Sequence, residues 1–129
     1  MSKEVNFNEL KDKVITSIVG LEKLSGEVHF ICSDGSRYKM FHKQDCCESV
    51  NVEDIIGDVQ NILDSPILLA EVSESGEPKP TGDWEESWTW TFYKLATIKG
   101  YVDIRWFGSS NGYYSESVSF KKLGGDEDE

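Results

Sequence analysis

Cysteine, proline and basic residues are all scarce in this chain, which has three cysteines, three prolines and 13 lysines and arginines against 24 acids in 129 residues. Three thiols, two of them adjacent (Cys46 and Cys47), are too few and too badly spaced for a disulfide framework, so the expected state is reduced. The paired knuckles of a structural zinc site are missing as well. No apolar run approaches the roughly 18 residues of a membrane-spanning helix. The opening MSKEVNFNELKDK has neither the basic end nor the apolar run of a secretory signal, and the expected location is the cytoplasm of a host cell. The shortage of bases gives a formal charge of -11, which disfavours direct binding to duplex nucleic acid, because that binding needs a basic face to displace counterions.

What is abundant is aromatic. Aromatic residues make up 12% of the chain, with four tryptophans, which argues for a packed body rather than disorder. The length is that of one domain, able to bury roughly two-thirds of its unfolded surface. Charge is unevenly spread. Residues 46–86 hold eleven acids and one base, whereas residues 87–125 hold five bases against Asp103 and Glu116. A mildly basic stretch inside an acidic chain is compatible with one small anion bound locally, or with docking of the acidic parts on a basic partner.

That basic stretch is the organising element. From Trp88 to Ile98, and again from Tyr101 to Phe107, aromatic and β-branched residues dominate, and Lys99-Gly100 can reverse the chain between them, so a long β-hairpin is expected. Ahead of it, residues 1–12 read as an arm anchored by Phe7 and Leu10. Lys13–Val19, Glu27–Ser33 and Arg37–Phe41 read as strands, the last two joined at the turn dipeptide Asp34-Gly35. Ile55, Ile56, Val59, Ile62 and Leu63 fall at helical spacing and predict one short helix ended by Pro66. Ile67–Val72 reads as a strand buried on both faces, Ser73–Glu86 as a mobile acidic loop, Ser115–Lys121 as a last strand, and residues 124–129 as a disordered acidic tail. The expected fold is α+β: a single domain over residues 13–123, mainly an antiparallel β-sheet of about seven strands with one short helix.

Two segments concentrate polar chemistry. His42-Lys43-Gln44-Asp45-Cys46-Cys47-Glu48 places imidazole, carboxylates and thiols within seven residues. It can be a plain polar connector, a ligand contact, or a thiol or metal centre. Gly108 to Glu116 offers glycines for close backbone approach to an anion and Ser109, Ser110, Asn111, Tyr113 and Tyr114 to orient it, or it is simply a turn at Asn111-Gly112. Tyr93 and Arg105 on the hairpin complete the candidate ligand-binding set: His42, Gln44, Asp45, Cys46, Glu48, Tyr93, Arg105 and the five loop residues just named. The hairpin aromatics Trp88, Trp90 and Phe92 share one face, and Tyr93 and Leu95 the other, so each face is either core or an association patch.

The segments FHKQDCCESVNVEDIIGDV, SPILLAEV and WTWTFYKLATIKGYVDIRWFGSSNGYYSESV resemble a family of small uncharacterised proteins of tailed bacteriophages, with H-x-Q-D-C-C-E-S-V and G-S-S-N-G-Y-Y-S-E cores, over about Val14 to Phe120. The resemblance implies a phage accessory protein. Its expected role is non-enzymatic counter-defence: sequestering a small anionic, nucleotide-like host signal, without a cofactor. One alternative is an acidic inhibitor that covers a basic surface of a host defence or nucleic-acid-binding protein. Another is a metal- or thiol-dependent enzyme centred on His42, Asp45, Cys46 and Cys47. Self-association through the aromatic hairpin is expected with either binding role.

Overall fold

Alternating apolar residues and tight turns produce two antiparallel sheets in the protein, whose computed structural model describes residues 3–44, 47–76, 87–110 and 115–123. The first sheet contains β2 (Ile15–Val19), β3 (Glu27–Cys32), β4 (Arg37–Phe41) and β9 (Ser119–Leu123), with the two-residue β1 (Lys3–Glu4) on its edge, in the order β1-β9-β4-β3-β2. The second contains β5 (Ser49–Ile56), β6 (Leu69–Ser75), β7 (Ser87–Thr97) and β8 (Gly100–Ser110), in the order β5-β8-β7-β6. The expected mainly antiparallel β architecture is what the chain forms.

The two hairpins read from turn chemistry are present. Gly35 has φ +90° between β3 and β4, and Phe30 lies opposite Tyr38. In the β7–β8 hairpin Thr97 faces Gly100, so Ile98-Lys99 make the reversal and Gly100 already belongs to β8. The Thr97 hydroxyl fastens that turn by accepting from the Lys99 N–H at 3.1 Å.

The predicted helix is a correction. Among the described residues there is no α-helix, only two 3-10 turns, η1 (Phe7–Leu10) and η2 (Val59–Ile62). Val50 and Val52 alternate inward, and pairing with β8 extends β5 through Ile56. Gly57, at φ +105°, then ends the strand, with its missing Cβ leaving room for the Tyr101 carbonyl. The Asp58 carboxylate caps η2 by accepting from the Gln60 N–H at 2.9 Å. Strand β6 departs from expectation too. It is an edge strand with Glu71 to Glu74 exposed, not a strand buried on both faces. Residues 77–86 of the expected acidic loop and the tail 124–129 lie outside the described residues.

One core cluster joins the sheets: Val28, Phe30, Tyr38 and Met40 from the first, Val52, Leu95, Val102, Ile104 and Trp106 from the second, Phe7 from η1, Ile62 from η2, and Ile67 from the connection into β6. Each such side chain contributes about 1.5–3 kcal/mol by leaving water. Trp106 is fully buried, and its indole N–H donates to the Met40 sulfur at 3.1 Å across the interface between the sheets.

Candidate functional site

The connector from β4 to β5 crosses from one sheet to the other, and Ser49 at its end pairs with Ser109 at the end of β8. The two polar segments of the sequence therefore leave the sandwich at the same end. Ser109 and Ser110 are not loop residues as expected. They belong to β8, because pairing with β5 on one side and with Trp88 and Ser87 on the other continues through them. Past the loop, residues 115–118 return beside β8, and the Glu116 carbonyl packs so near Gly108 that a Cβ there would stand 2.8 Å from it.

The buried His42 side chain joins the first segment to Ser117, the residue after the second. The His42 Nε2 lies 2.7 Å from a Glu48 carboxylate oxygen, with the two side chains 3% and 0% exposed. The His42 Nδ1 contacts the Ser117 carbonyl oxygen at 2.6 Å. A carbonyl only accepts, so Nδ1 carries a proton, and one further proton is shared between Nε2 and Glu48, as an imidazolium–carboxylate pair or its neutral equivalent. The Gln44 amide donates to the Glu48 carbonyl at 2.7 Å. Glu116, also buried, accepts from the Thr89 hydroxyl at 2.8 Å and the Ser110 hydroxyl at 2.6 Å. Hydrogen bonds to an ionised carboxylate are about twice as strong as neutral ones. Beside this network opens a cleft of about 460 Å³ lined by Glu4, His42, Lys43, Gln44, Ser115, Ser117 and Ser119. Lys43 pairs with Glu4 across it at 3.0 Å.

Of the candidate residues, the structure joins His42, Gln44 and Glu48 in one hydrogen-bonded group, and Ser110 lies at the same end of the sandwich, bonded to Glu116. Asp45, Cys46, Asn111, Tyr113 and Tyr114 lie outside the described residues. Ser109 shares the end of β8 but alternates away from Ser110. Arg105 is five residues back along β8, where it donates to Glu53 at 2.7 Å, approaches Asp54 at 3.5 Å and lies over the Trp90 ring. Tyr93 is a core residue, 2% exposed, packed edge-on to Phe7. Residues that the sequence reading did not include are Glu116, Thr89 and Ser117. Glu116 closes the GSSNGYYSE motif, and that was the available signal.

With both ring nitrogens of His42 engaged, its imidazole offers no free lone pair to serve as a general base. Cys32 is free and buried, and burial pushes its thiol up, away from the reactive thiolate. Cys47 is disulfide-bonded, against the expectation of a reduced thiol. Trp88, Trp90 and Phe92 are half-buried on the outer face of the second sheet, where Trp90 packs on Phe107 with ring centroids 4.5 Å apart.

The tyrosines give a pH prediction. Burial, then the Glu9 carboxylate bonded to its hydroxyl, pushes Tyr38 up to about 12 from an ordinary 10.0. Burial, with Glu74 adding to it, holds Tyr93 higher still. The folded state therefore keeps these protons longer than the unfolded chain does. Stability is full below pH 10 and falls as pH rises toward and past 12. Phenolate absorbance is expected to show these two of the five tyrosines ionising only with unfolding. Full ionisation in a chain still folded by circular dichroism would refute it.

The family model described as a domain of unknown function, DUF7448, matches residues 8–120. The chain belongs to this family. Both polar segments and all strands except β1 and the end of β9 fall inside the DUF7448 match. No curated protein and no solved structure matches the chain.

Proposed function

We propose that this DUF7448 protein is a non-catalytic binder that sequesters a small nucleotide-like ligand at the end where its two polar segments meet, in the phage counter-defence setting its sequence resemblance implies. The observation that supports this reading is that His42, Lys43 and Gln44 of the first segment and Ser115 of the second line one polar cleft, with the His42–Ser117 contact joining them across 75 residues of chain. The size of the cleft falls within the usual range of roughly 300–1,000 Å³ for ligand sites. Serine hydroxyls and the Gln44 amide suit the hydrogen-bonding edges of a base or ribose. Among the described residues Lys43 is the one lysine or arginine lining the cleft, which favours a ligand with few phosphates.

The test is native mass spectrometry after incubation with a panel of mononucleotides and cyclic dinucleotides. One added mass of nucleotide size is expected, and it should be lost in Gln44→Ala and Lys43→Ala with the fold intact. Bare protein across the panel would overturn the reading. The same spectra count copies per assembly, and a strictly monomeric protein would remove the proposed self-association through the outer aromatics of β7 and β8.

A second reading, an acidic inhibitor of a basic host protein, is favoured by the formal charge of -11 and by the acceptor-lined cleft described next, where its test is given.

A further inference from the structure

Among the described residues, one cleft is lined by carboxylates, hydroxyls, an amide and apolar groups and by no base. On the inner side of β6, Val72 and Glu74 stand opposite Tyr93 and Thr91 of β7. The first sheet does not extend over them, and Val72 is left 48% exposed. The cleft, about 560 Å³, has Glu4, Phe7, Val118 and Phe120 on its other wall; no lysine, arginine or histidine among the described residues lines it, and Glu4 is paired with Lys43.

Its floor is polar and under-used. The Thr91 hydroxyl is buried, with the residue 1% exposed, and has no hydrogen-bond partner. Buried polar groups are nearly always paired, so such an orphan calls for an explanation. The neighbouring Tyr93 hydroxyl has only a long 3.5 Å contact to the Val118 carbonyl. Glu74 is near enough to oppose ionisation of that phenol. The Glu74 carboxylate, an unsatisfied hydroxyl and apolar walls are the complement of an alkylammonium group, a charged head on an aliphatic stem.

The strand beside the cleft adds a second element. Among the described residues no strand pairs with the outer edge of β6. An unpaired edge is a template for an extended segment, which takes its affinity from main-chain hydrogen bonds and its specificity from side-chain pockets. A further hollow of about 620 Å³ adjoins it, lined by Asn8, Glu71 and Asp103 and by one base, Lys94.

We propose that a lysine-bearing extended segment of a basic partner protein adds to the free edge of β6 and seats one lysine side chain between Glu74 and Thr91. The site adjoins the motif-end cleft, with which it shares Glu4, Ser117 and Ser119, and it rests on the acidic-inhibitor reading, to which it gives a location and a chemistry.

The probe is the blocked peptide acetyl-Val-Lys-Val-Lys-Val-amide, titrated into the full chain by calorimetry and backbone NMR, with glutamate in place of lysine as the control. The lysine peptide is expected to bind and to protect the amides of Val72 to Glu74, and the control to be inert. Glu74→Gln and Thr91→Val should each weaken binding by about tenfold or more. Thr91→Val keeps the side-chain shape and removes an unpaired buried hydroxyl, so its melting temperature should hold or rise, which separates lost binding from lost fold. Unchanged affinity in both variants would overturn the site while leaving the acidic-inhibitor reading standing. No binding of the lysine peptide would overturn both. Cadaverine binding as tightly as the peptide would overturn the strand partner.

Discussion

His42→Ala is expected to cost about 3–5 kcal/mol of folding stability, the loss found when one member of a buried charged pair is removed and the other is left behind. The cause is Glu48, whose side chain is fully buried 2.7 Å from the imidazole. Without His42 that carboxylate must either stay charged in a low-dielectric interior or take up a proton, and the Ser117 carbonyl loses its donor as well. Urea unfolding should show the midpoint falling at an unchanged slope. The double variant His42→Leu with Glu48→Leu should recover much of the loss, because a pair replaced by apolar side chains leaves no uncompensated charge. A loss under about 1 kcal/mol for His42→Ala, the scale of an exposed pair, would mean that water reaches Glu48.

Trp106→Ala is expected to cost a similar 3–5 kcal/mol, for a different reason. Trp106 heads the set of largest fully buried side chains, and it spans the gap between the sheets to reach the Met40 sulfur. Alanine leaves a cavity that two sheets held apart by their other core residues cannot close. Trp106→Phe keeps a ring in place and should cost well under half as much. If the alanine variant lost less than about 1 kcal/mol in the same unfolding experiment, the sheets would not be meeting through this residue.

The sheet strands were legible wherever a local signal decided them. Asp34-Gly35 located the β3–β4 hairpin because only certain residues tolerate positive φ there, and β4 falls on the residues expected, Arg37–Phe41. The stretch around Ile55 and Ile62 misled because its helical spacing is real but short. The decisive influence is β8, some 50 residues away, which recruits residues 49–56 as a strand. Ile67–Val72 misled for the converse reason: an apolar run suggests burial, but the order of strands puts it on an edge.

At the site, the chemistry of the two motifs was visible, but their meeting was not. Nothing local says that His42 will bond to the Ser117 carbonyl, since this depends on which sheet each flanking strand joins. Arg105 and Tyr93 were grouped with the motifs by chain proximity. Strand alternation instead turns Tyr93 into the core and Arg105 outward to Glu53.

The seam between His42 and Ser117 bears on how the molecule is made. The β7–β8 hairpin closes locally, but β5 must find β8 across half the chain, and β4 must find β9 across more than that. Loop-closure entropy places such contacts late in folding. On the ribosome, a chain that has not yet exposed Ser117 holds Glu48 with no completed seam to shelter it. The buried surroundings of Glu48 are therefore complete only once β4 and β9 have paired and brought Ser117 to His42, so a partly folded chain presents that end of the molecule open.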